Sequence, residues 1–206
     1  SSTQEAPTPA PARVFSSPCA PVQALALPVL TITARMAAEQ GRDLAGVAAI
    51  AQRVADRSRS MGLALTSCTV PTAGAPTFEL ADDEIELGIG IHGEPGRVRM
   101  KLEPADKVTE MLLTPVVEDL PFKAGDEVLL FVNSMGGTPL IELYILYRKA
   151  VQMLEAKGIK VTRHLIGPYI TSLEMAGASI TLLKLDADLT KLWDAPVKTA
   201  GMRWGI

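Results

Sequence analysis

The sequence predicts an α/β fold with a mixed sheet flanked by helices, preceded by an irregular Pro/Ala-rich N-terminal arm. Short apolar stretches typical of β-strands alternate along the chain with longer stretches of helical periodicity, which is the pattern of α/β proteins. The first 36 residues differ from the rest, because prolines recur there among alanines and serines, as in linkers and poorly ordered arms. We therefore expect an arm over residues 1–36 and one α/β domain over residues 37–206.

The first predicted elements follow the arm directly. Leu44–Ser58 has apolar residues at helical spacing, and Asp43 is suited to cap that helix at its N-terminus. Leu63–Val70 is interpreted as a strand, since apolar residues dominate it and Pro71 ends it. Phe78–Leu80 is interpreted as a strand that pairs with the next apolar stretch.

The second half of the chain continues the alternation. A helix is predicted at Ala105–Leu113, with Pro104 near its first turn. Glu127–Asn133 is almost continuously apolar and indicates a strand buried on both faces. A long helix is predicted from Pro139 to Lys157, where Gly158 closes it. Two further strands and a short helix are predicted at Ile159–Ile166, Ser179–Leu185 and Asp188–Trp193.

The main candidate site is a single histidine, His92, at the end of the apolar strand Ile85–Ile91. Apolar residues at odd positions alternate there with Glu86, Gly88 and Gly90, the period-2 pattern of a half-buried strand. This pattern places His92 on the face of the two glycines, where a small ligand can approach the ring. The alternative is a packing role beside the turn that follows; ligand sites in α/β sheets do tend to lie at strand ends.

Several motifs along the chain carry a resemblance to a known family. Besides Gly88–Gly96 they are Ser60–Gly62, Cys68–Pro71, Lys123–Glu127, Asn133–Pro139, Glu142–Tyr144, Thr171–Gly177, Ser179–Leu185 and Leu192–Pro196. In this order and spacing the chain, from about residue 37 to 205, resembles the dihydroxyacetone-binding (K) subunit or domain of the dihydroxyacetone kinases. The resemblance covers the C-terminal part of that unit.

The resemblance implies a covalent role for His92. In the family the corresponding histidine attacks the substrate ketone and holds it as a hemiaminal, and we expect Gly90, Gly93 and Glu94 to lie beside the substrate. Glu94 could also orient the ring or cap a turn. An unperturbed histidine, with a pKa of about 6.5, is mostly neutral and therefore nucleophilic at pH 7. The expected activity is dihydroxyacetone (glycerone) phosphorylation.

The resemblance also implies partners. In the family a separate L-type domain or subunit supplies the phosphoryl group, from ATP and magnesium or from a phosphorylated protein, so we expect no cofactor in this chain. Family K units are homodimers with an N-terminal domain, of which residues 1–36 would be a truncated remnant. The alternative to a kinase subunit is a non-catalytic ligand-sensing or co-regulatory relative, or an inactive remnant, and we expect the chain alone to be inactive.

Composition excludes other classes of function. The net charge of −3 argues against a nucleic-acid partner, because phosphate binding needs a basic surface. No apolar run reaches the roughly 18 residues that a membrane span needs. The only two cysteines, Cys19 and Cys68, favour reduced thiols and a cytoplasmic location, and one disulfide between them is the alternative.

The remaining candidates have structural interpretations. Asn133–Pro139 has the form of a strand, a Gly-rich turn and a helix start, which suits either an anion site or a structural turn. His164 is expected to be a packed or surface histidine without zinc. Five acidic residues are interpreted as solvated caps, namely Asp82, Asp83, Glu84, Asp186 and Asp188. Trp193 and Trp204 are interpreted as core or interface anchors.

Overall fold

A six-stranded mixed sheet forms the centre of the protein. The computed structural model describes residues 24–76, 78–91 and 96–205. The strands of the sheet are β1 (Ser58–Ala64), β2 (Glu84–Leu87), β3 (Val98–Lys101), β4 (Glu127–Ser134), β5 (Lys160–Gly167) and β6 (Gly177–Lys184). Their spatial order is β3-β2-β1-β6-β4-β5, in which β4 and β5 are parallel and every other neighbouring pair is antiparallel. The predicted α/β fold with a mixed sheet is confirmed.

Helices cover both faces of this sheet. Within the described ranges they are α1 (Leu27–Glu39), α2 (Leu44–Asp56), α3 (Ala105–Asp119), α4 (Leu140–Ala156) and α5 (Ala187–Trp193). Helices α3 and α4 pack on one face, here called the front face, through residues such as Leu112 and Leu143. Helices α1, α2 and α5 pack on the back face, through residues such as Val29 and Leu189. A short hairpin of β7 (Val197–Lys198) and β8 (Arg203–Trp204) follows α5.

Strand β4 shows why the second half of the chain was predictable. Its alternate residues face opposite sides, so Leu130 packs in the front core while Leu129 and Phe131 pack in the back core. A strand that is covered on both faces has a continuous apolar sequence, and residues 127–133 show this pattern. The predictions for β4, α4, β5, β6 and α5 are confirmed with shifts of one or two residues at their ends. The helix predicted at Ala105–Leu113 is α3, which continues to Asp119.

The first helix was not predicted, and with it the folded region begins earlier than the sequence indicated. Helix α1 starts at Leu27, so the expected domain boundary at residue 37 falls inside it and the arm cannot extend to residue 36. Pro28 occupies its first turn, where a missing N–H costs nothing. Val29, Thr33 and Met36 then recur at helical spacing and are buried. The predicted arm over residues 1–23 lies outside the described residues.

Strand β1 was predicted in the wrong place. The strand expected at Leu63–Val70 is in fact Ser58–Ala64, and Phe78–Leu80 is not in a strand. The polar residues of β1 concealed it, but their hydroxyl groups have partners inside the fold. Ser58 Oγ donates to the carbonyl of Val54 at 2.7 Å, and Ser60 Oγ lies 2.7 Å from Thr181 Oγ1 on β6. Strand β3 and the hairpin β7–β8 were not predicted.

The helices of the described ranges include none that is both long enough and apolar enough to cross a membrane.

An ion-pair group joins α2 to α5 at the back of the sheet. Asp186 caps α5 by accepting from the backbone N–H of Leu189 at 2.9 Å, as predicted. Asp188 is not a simple cap, because its two carboxylate oxygens each accept a hydrogen bond at 2.6 Å, from Arg42 and from Arg53. The hydrogen bond from Arg42, supported by the one from Arg53, lowers the pKa of Asp188.

We predict that Asp188→Asn reduces the acid sensitivity of the fold. A carboxylate whose pKa is lowered by folding stabilises the protein above its unfolded pKa of about 4, and that contribution disappears as the pH falls further. The variant should be less stable than the wild type at pH 7 and should lose less stability between pH 5 and pH 3. Urea unfolding across this range measures both effects, and parallel profiles for the two proteins would contradict the prediction.

Candidate functional site

The candidate site is the segment from Gly88 to Arg97 that joins β2 to β3. Within it His92, Gly93 and Glu94 lie outside the described residues, so the roles expected for them stay predictions. Gly90 is described and is buried. The structure therefore describes the residues on either side of positions 92–95.

The strand that leads into this segment is shorter than predicted. Strand β2 ends at Leu87, since Gly88 adopts a φ of +83°, in the left-handed region that favours glycine. The N–H of Gly88 donates to the carbonyl of Gly62 on β1 at 2.7 Å. The predicted strand Ile85–Ile91 is therefore wrong beyond Leu87, and its alternation of faces cannot be extended to position 92.

Beyond Gly88 the chain leaves the plane of the sheet and crosses the back face of β1. Leu87 packs with the front core, whereas Ile89 and Ile91 pack with a separate group here called the strand-end cluster. Its buried members are Leu25, Ala64, Cys68, Ile89, Met135 and Met175. Of the odd positions predicted to be buried, Ile85 and Ile89 are fully buried and the other two are partly buried.

Gly62 on β1 makes this crossing possible. A Cβ atom at position 62 would lie 2.8 Å from the carbonyl oxygen of Ile89 and 3.1 Å from the side chain of Leu25. Any larger residue would push the crossing segment away from the sheet. Gly62, the smallest residue of the Ser60–Gly62 motif, therefore allows the backbone at Ile89 to approach the backbone of β1 closely.

The other end of the segment is held on β2. The N–H of Arg97 donates to the carbonyl of Leu87 at 2.7 Å, and the N–H of Gly96 donates to a carboxylate oxygen of Glu86 at 2.6 Å. Sequence reasoning did not select Glu86, which is buried although the strand pattern would expose it. Its signal was an acidic residue between Ile85 and Leu87, directly before the Gly-rich stretch.

The Gly-rich turn of Asn133–Pro139 is structural. The N–H groups of Gly136 and Thr138 both donate to Ser134 Oγ, at 3.1 and 3.2 Å, and that of Gly137 donates to the carbonyl of Met175 at 2.8 Å. These N–H groups are already satisfied within the protein and do not form an anion site. The structure favours the structural turn over the anion-binding alternative.

Asn133 fixes the loop that follows β5. Its side chain is fully buried, and its Oδ1 accepts from the N–H groups of Tyr169 and Ile170, both at 3.0 Å. Its Nδ2 donates to the carbonyl of Ile170 at 2.7 Å. Three backbone groups of one loop thus depend on one amide side chain, a role that the apolar strand around Asn133 concealed.

The remaining candidate residues, among them His164 and Asp83, make contacts typical of structural residues. His164 is exposed on β5, at the opposite edge of the sheet from β3, and its ring lies 5.4 Å from that of Tyr147. The hydrogen bonds from Lys101 lower the pKa of Asp83, which lies exposed in a loop. No three His, Cys, Asp or Glu residues gather as a possible metal site within the described ranges.

The two tryptophans behave as predicted. The rings of Trp193 and Trp204 lie 5.2 Å apart, and Trp204 Nε1 donates to the carbonyl of Ala195 at 2.9 Å. Trp193 is buried in the back core, so the pair anchors the C-terminal hairpin to α5.

Comparison with protein families identifies the region that contains this site. The family model described as the Dak1 domain matches residues 24–201. The match includes α1, which agrees with a folded region that starts before residue 37.

Curated relatives show substantial sequence identity. The chain is 42% identical over 166 residues to the dihydroxyacetone-binding subunit of a PTS-dependent dihydroxyacetone kinase of Listeria innocua, covering 81% of this chain and 50% of that protein. It is 41% identical over 193 residues to the dihydroxyacetone-binding subunit of the PEP-dependent dihydroxyacetone kinase of Escherichia coli, covering 82% and 54%. The chain thus spans about half the length of these relatives.

Solved structures share the fold. The dihydroxyacetone kinase operon co-activator Dha-DhaQ superposes with a TM-score of 0.78 at 28% identity, covering 84% of this chain and 54% of that one. The dihydroxyacetone kinase of C. freundii, in complex with AMP-PNP and Mg²⁺, superposes with a TM-score of 0.69 at 28% identity, covering 82% and 31%. The resemblance stated from the motifs is confirmed.

We predict that Asn133→Ala destabilises the fold by at least about 2 kcal/mol, because it leaves buried backbone donors and an acceptor without partners. Asn133→Asp should also destabilise, since the carboxylate cannot donate to Ile170 and buries a charge. Urea unfolding measures both. Gln152→Ala, which truncates an exposed amide on α4, is the control and should stay within about 0.5 kcal/mol of the wild type. A stable Asn133→Ala variant would show that the loop is held elsewhere.

Proposed function

This chain belongs to the Dak1 domain family, and on that premise we propose that it binds dihydroxyacetone for phosphorylation by a partner. The substrate is held as a covalent hemiaminal on His92. The observation that carries the proposal is the identity of 41–42% to two dihydroxyacetone-binding subunits across about four-fifths of the chain.

The proposed capture step is an addition that needs no cofactor. A neutral imidazole nitrogen of His92 attacks the carbonyl carbon of the ketone, and a nitrogen–carbon bond forms. The π electrons of the carbonyl move to its oxygen, which takes up a proton, while the ring gives up its N–H proton. Glycerol has no carbonyl and cannot react, so this chemistry selects ketones and aldehydes over alcohols.

Covalent capture would place a terminal hydroxyl for phosphoryl transfer. Positioning is most of what a phosphoryl-transfer enzyme must supply, and a covalent bond removes much of the substrate's rotational freedom. In the proposal Gly90, Gly93 and Glu94 line the substrate. The proposal is supported by the hydrogen bonds that attach Gly88 to Gly62 and Gly96 to Glu86, because they hold the described residues on both sides of positions 92–95.

A partner of the L type completes the proposed enzyme. It would carry ATP and magnesium, or a phosphorylated group, and donate the phosphoryl group to the captured ketone. Without it, we expect this chain to bind substrate and to transfer no phosphoryl group. A cytoplasmic location belongs to the same proposal and fits a chain with only two cysteines.

A second candidate function is non-catalytic ligand sensing. The superposition with the operon co-activator has a TM-score of 0.78, compared with 0.69 for the kinase in complex with AMP-PNP. The two functions differ in one observable. A kinase subunit supports phosphate incorporation into dihydroxyacetone when a donor partner is added, whereas a sensor captures the ketone and no phosphate ester forms.

We predict that the carbonyl carbon of dihydroxyacetone labelled with ¹³C at that position shifts from a ketone toward a tetrahedral resonance when the protein is added. His92→Ala should abolish the shifted signal, because it removes the nucleophile. His164→Ala is the matched control, since it removes the other histidine of the chain from an exposed position on β5, and should leave the signal in place.

The comparison of the two histidine variants decides the proposal. A ketone signal that stays unshifted in wild type and in His92→Ala at millimolar ligand would rule out covalent capture. Circular dichroism must show that His92→Ala is folded.

We also propose that the chain self-associates, as family K units do. The first turns of α4 expose an apolar surface formed by Leu140, Ile141, Tyr144 and Ile145, with Ile141 71% exposed. Contiguous apolar surface of this kind favours association. Light scattering should show a species larger than the monomer at tens of micromolar, and Ile141→Lys should weaken it. Leu44→Lys, at an exposed leucine on α2, is the control. A clean wild-type monomer would refute the proposal.

A further inference from the structure

Glu86 is an acidic residue in an unusual position. It lies on β2 with its side chain only 11% exposed, opposite Arg99 in the register of the β2–β3 pair. Removing a carboxylate from water is costly unless hydrogen bonds compensate the charge. The two oxygens of Glu86 have separate partners. Oε1 accepts from the N–H of Gly96 at 2.6 Å, and Oε2 accepts from Arg99 Nη2 at 3.2 Å.

The contact with Gly96 is the closer of the two and is specific to the backbone. Arg99 is itself about half exposed, and an ion pair with a solvent-exposed partner contributes little to stability. Gly96 lies against Glu86 so closely that a Cβ at position 96 would collide with the Cγ of Glu86. Only glycine at position 96 leaves room for the Glu86 side chain. The carboxylate of Glu86 in turn binds the backbone of Gly96, just before the chain enters β3.

We propose that Glu86 is a positioning residue for ketone capture. Its carboxylate fixes Gly96, and with it the C-terminal end of the segment whose N-terminal end is fixed by the bond from Gly88 to Gly62. His92 lies between these two ends in the sequence, and misplacement of a nucleophile by about 1 Å can cost on the order of a hundredfold in rate. This inference rests on the proposed function, since it assumes that capture occurs on His92.

Substitutions at Glu86 separate the hydrogen bond from the charge. Glu86→Gln keeps an oxygen that can accept from Gly96 and loses the negative charge. Glu86→Asp keeps the charge, but its side chain is one methylene shorter and withdraws from Gly96. Glu86→Ala removes both interactions, and Arg99→Ala removes only the ion pair.

Two measurements on each variant test the inference. The first is the hydrogen-exchange rate of the Gly96 amide in the ligand-free protein, and the second is the dissociation constant of ¹³C-labelled dihydroxyacetone from the tetrahedral signal. Glu86→Ala and Glu86→Asp should speed exchange and weaken capture by about tenfold, the effect of one lost charge-assisted hydrogen bond. Glu86→Gln and Arg99→Ala should change both quantities by less than about threefold. Urea unfolding identifies any variant whose loss follows global stability instead.

The outcomes separate this inference from the proposed function. Capture by Glu86→Asp and Glu86→Ala at wild-type affinity would overturn the positioning role and leave covalent capture standing. A loss in Glu86→Gln as large as in Glu86→Ala would also overturn it, because the charge and not the backbone contact would then matter. If the wild type captures no ketone while Gly96 exchange still rises in Glu86→Ala, the proposed function fails and Glu86 remains the anchor of Gly96.

Discussion

The structure depends on the pairing of β6 with two neighbours at once. This strand is almost entirely buried and runs antiparallel to β1 on one side and to β4 on the other. The β4–α4–β5 unit has its own parallel pair and a helix that covers it. Within the sheet, the β1–β2–β3 unit, which carries the candidate site, is hydrogen-bonded to that unit through β6. The position of the site relative to the core is therefore set by the β1–β6 register.

The back face of this sheet is more polar than its front face, and the site lies on that side. Front-facing residues of β1 and β6, such as Met61 and Ile180, belong to the large apolar core. On the back face the pair Ser60–Thr181 is buried with its hydroxyl groups hydrogen-bonded, and Gly62 leaves room for the crossing segment. Small and polar residues in β1 thus allow a second layer of backbone to approach the sheet where a helix would otherwise pack.

The elements predicted correctly from the sequence are those that are buried in a regular way, on one face or on both. Strand β4 and helix α4 have the apolar pattern that two-sided or one-sided burial imposes, so local periodicity was enough. Strand β1 was misplaced because its partners lie far away in the sequence, and only those partners make its serines acceptable inside a sheet. The end of β2 was missed because apolar residues and glycines continue to alternate in the sequence after Gly88. In the structure, the positive φ of Gly88 changes the direction of the chain.

The candidate site was predicted in a different way from the fold. Its place in the chain followed from motifs, and the family comparison confirmed the resemblance that they carry. The supporting residues could not be predicted from motifs, because the side chains of Glu86 and Asn133 form hydrogen bonds with backbone groups of other segments. Periodicity describes the face on which a side chain lies and contains no information about which N–H it will accept from.

The β1–β6 pairing also determines when this protein can complete its fold during synthesis. Ser60 meets Thr181 across a sequence separation of 121 residues. Pairs separated by this distance form slowly, because closing the long intervening loop costs entropy before the new contacts compensate it. As the chain leaves the ribosome, β1, β2 and β3 emerge long before β6 and have no central strand to join. The half of the sheet that carries the site thus lacks its central partner until β6 arrives, and the unpaired edge of β1 stays open to aggregation until then.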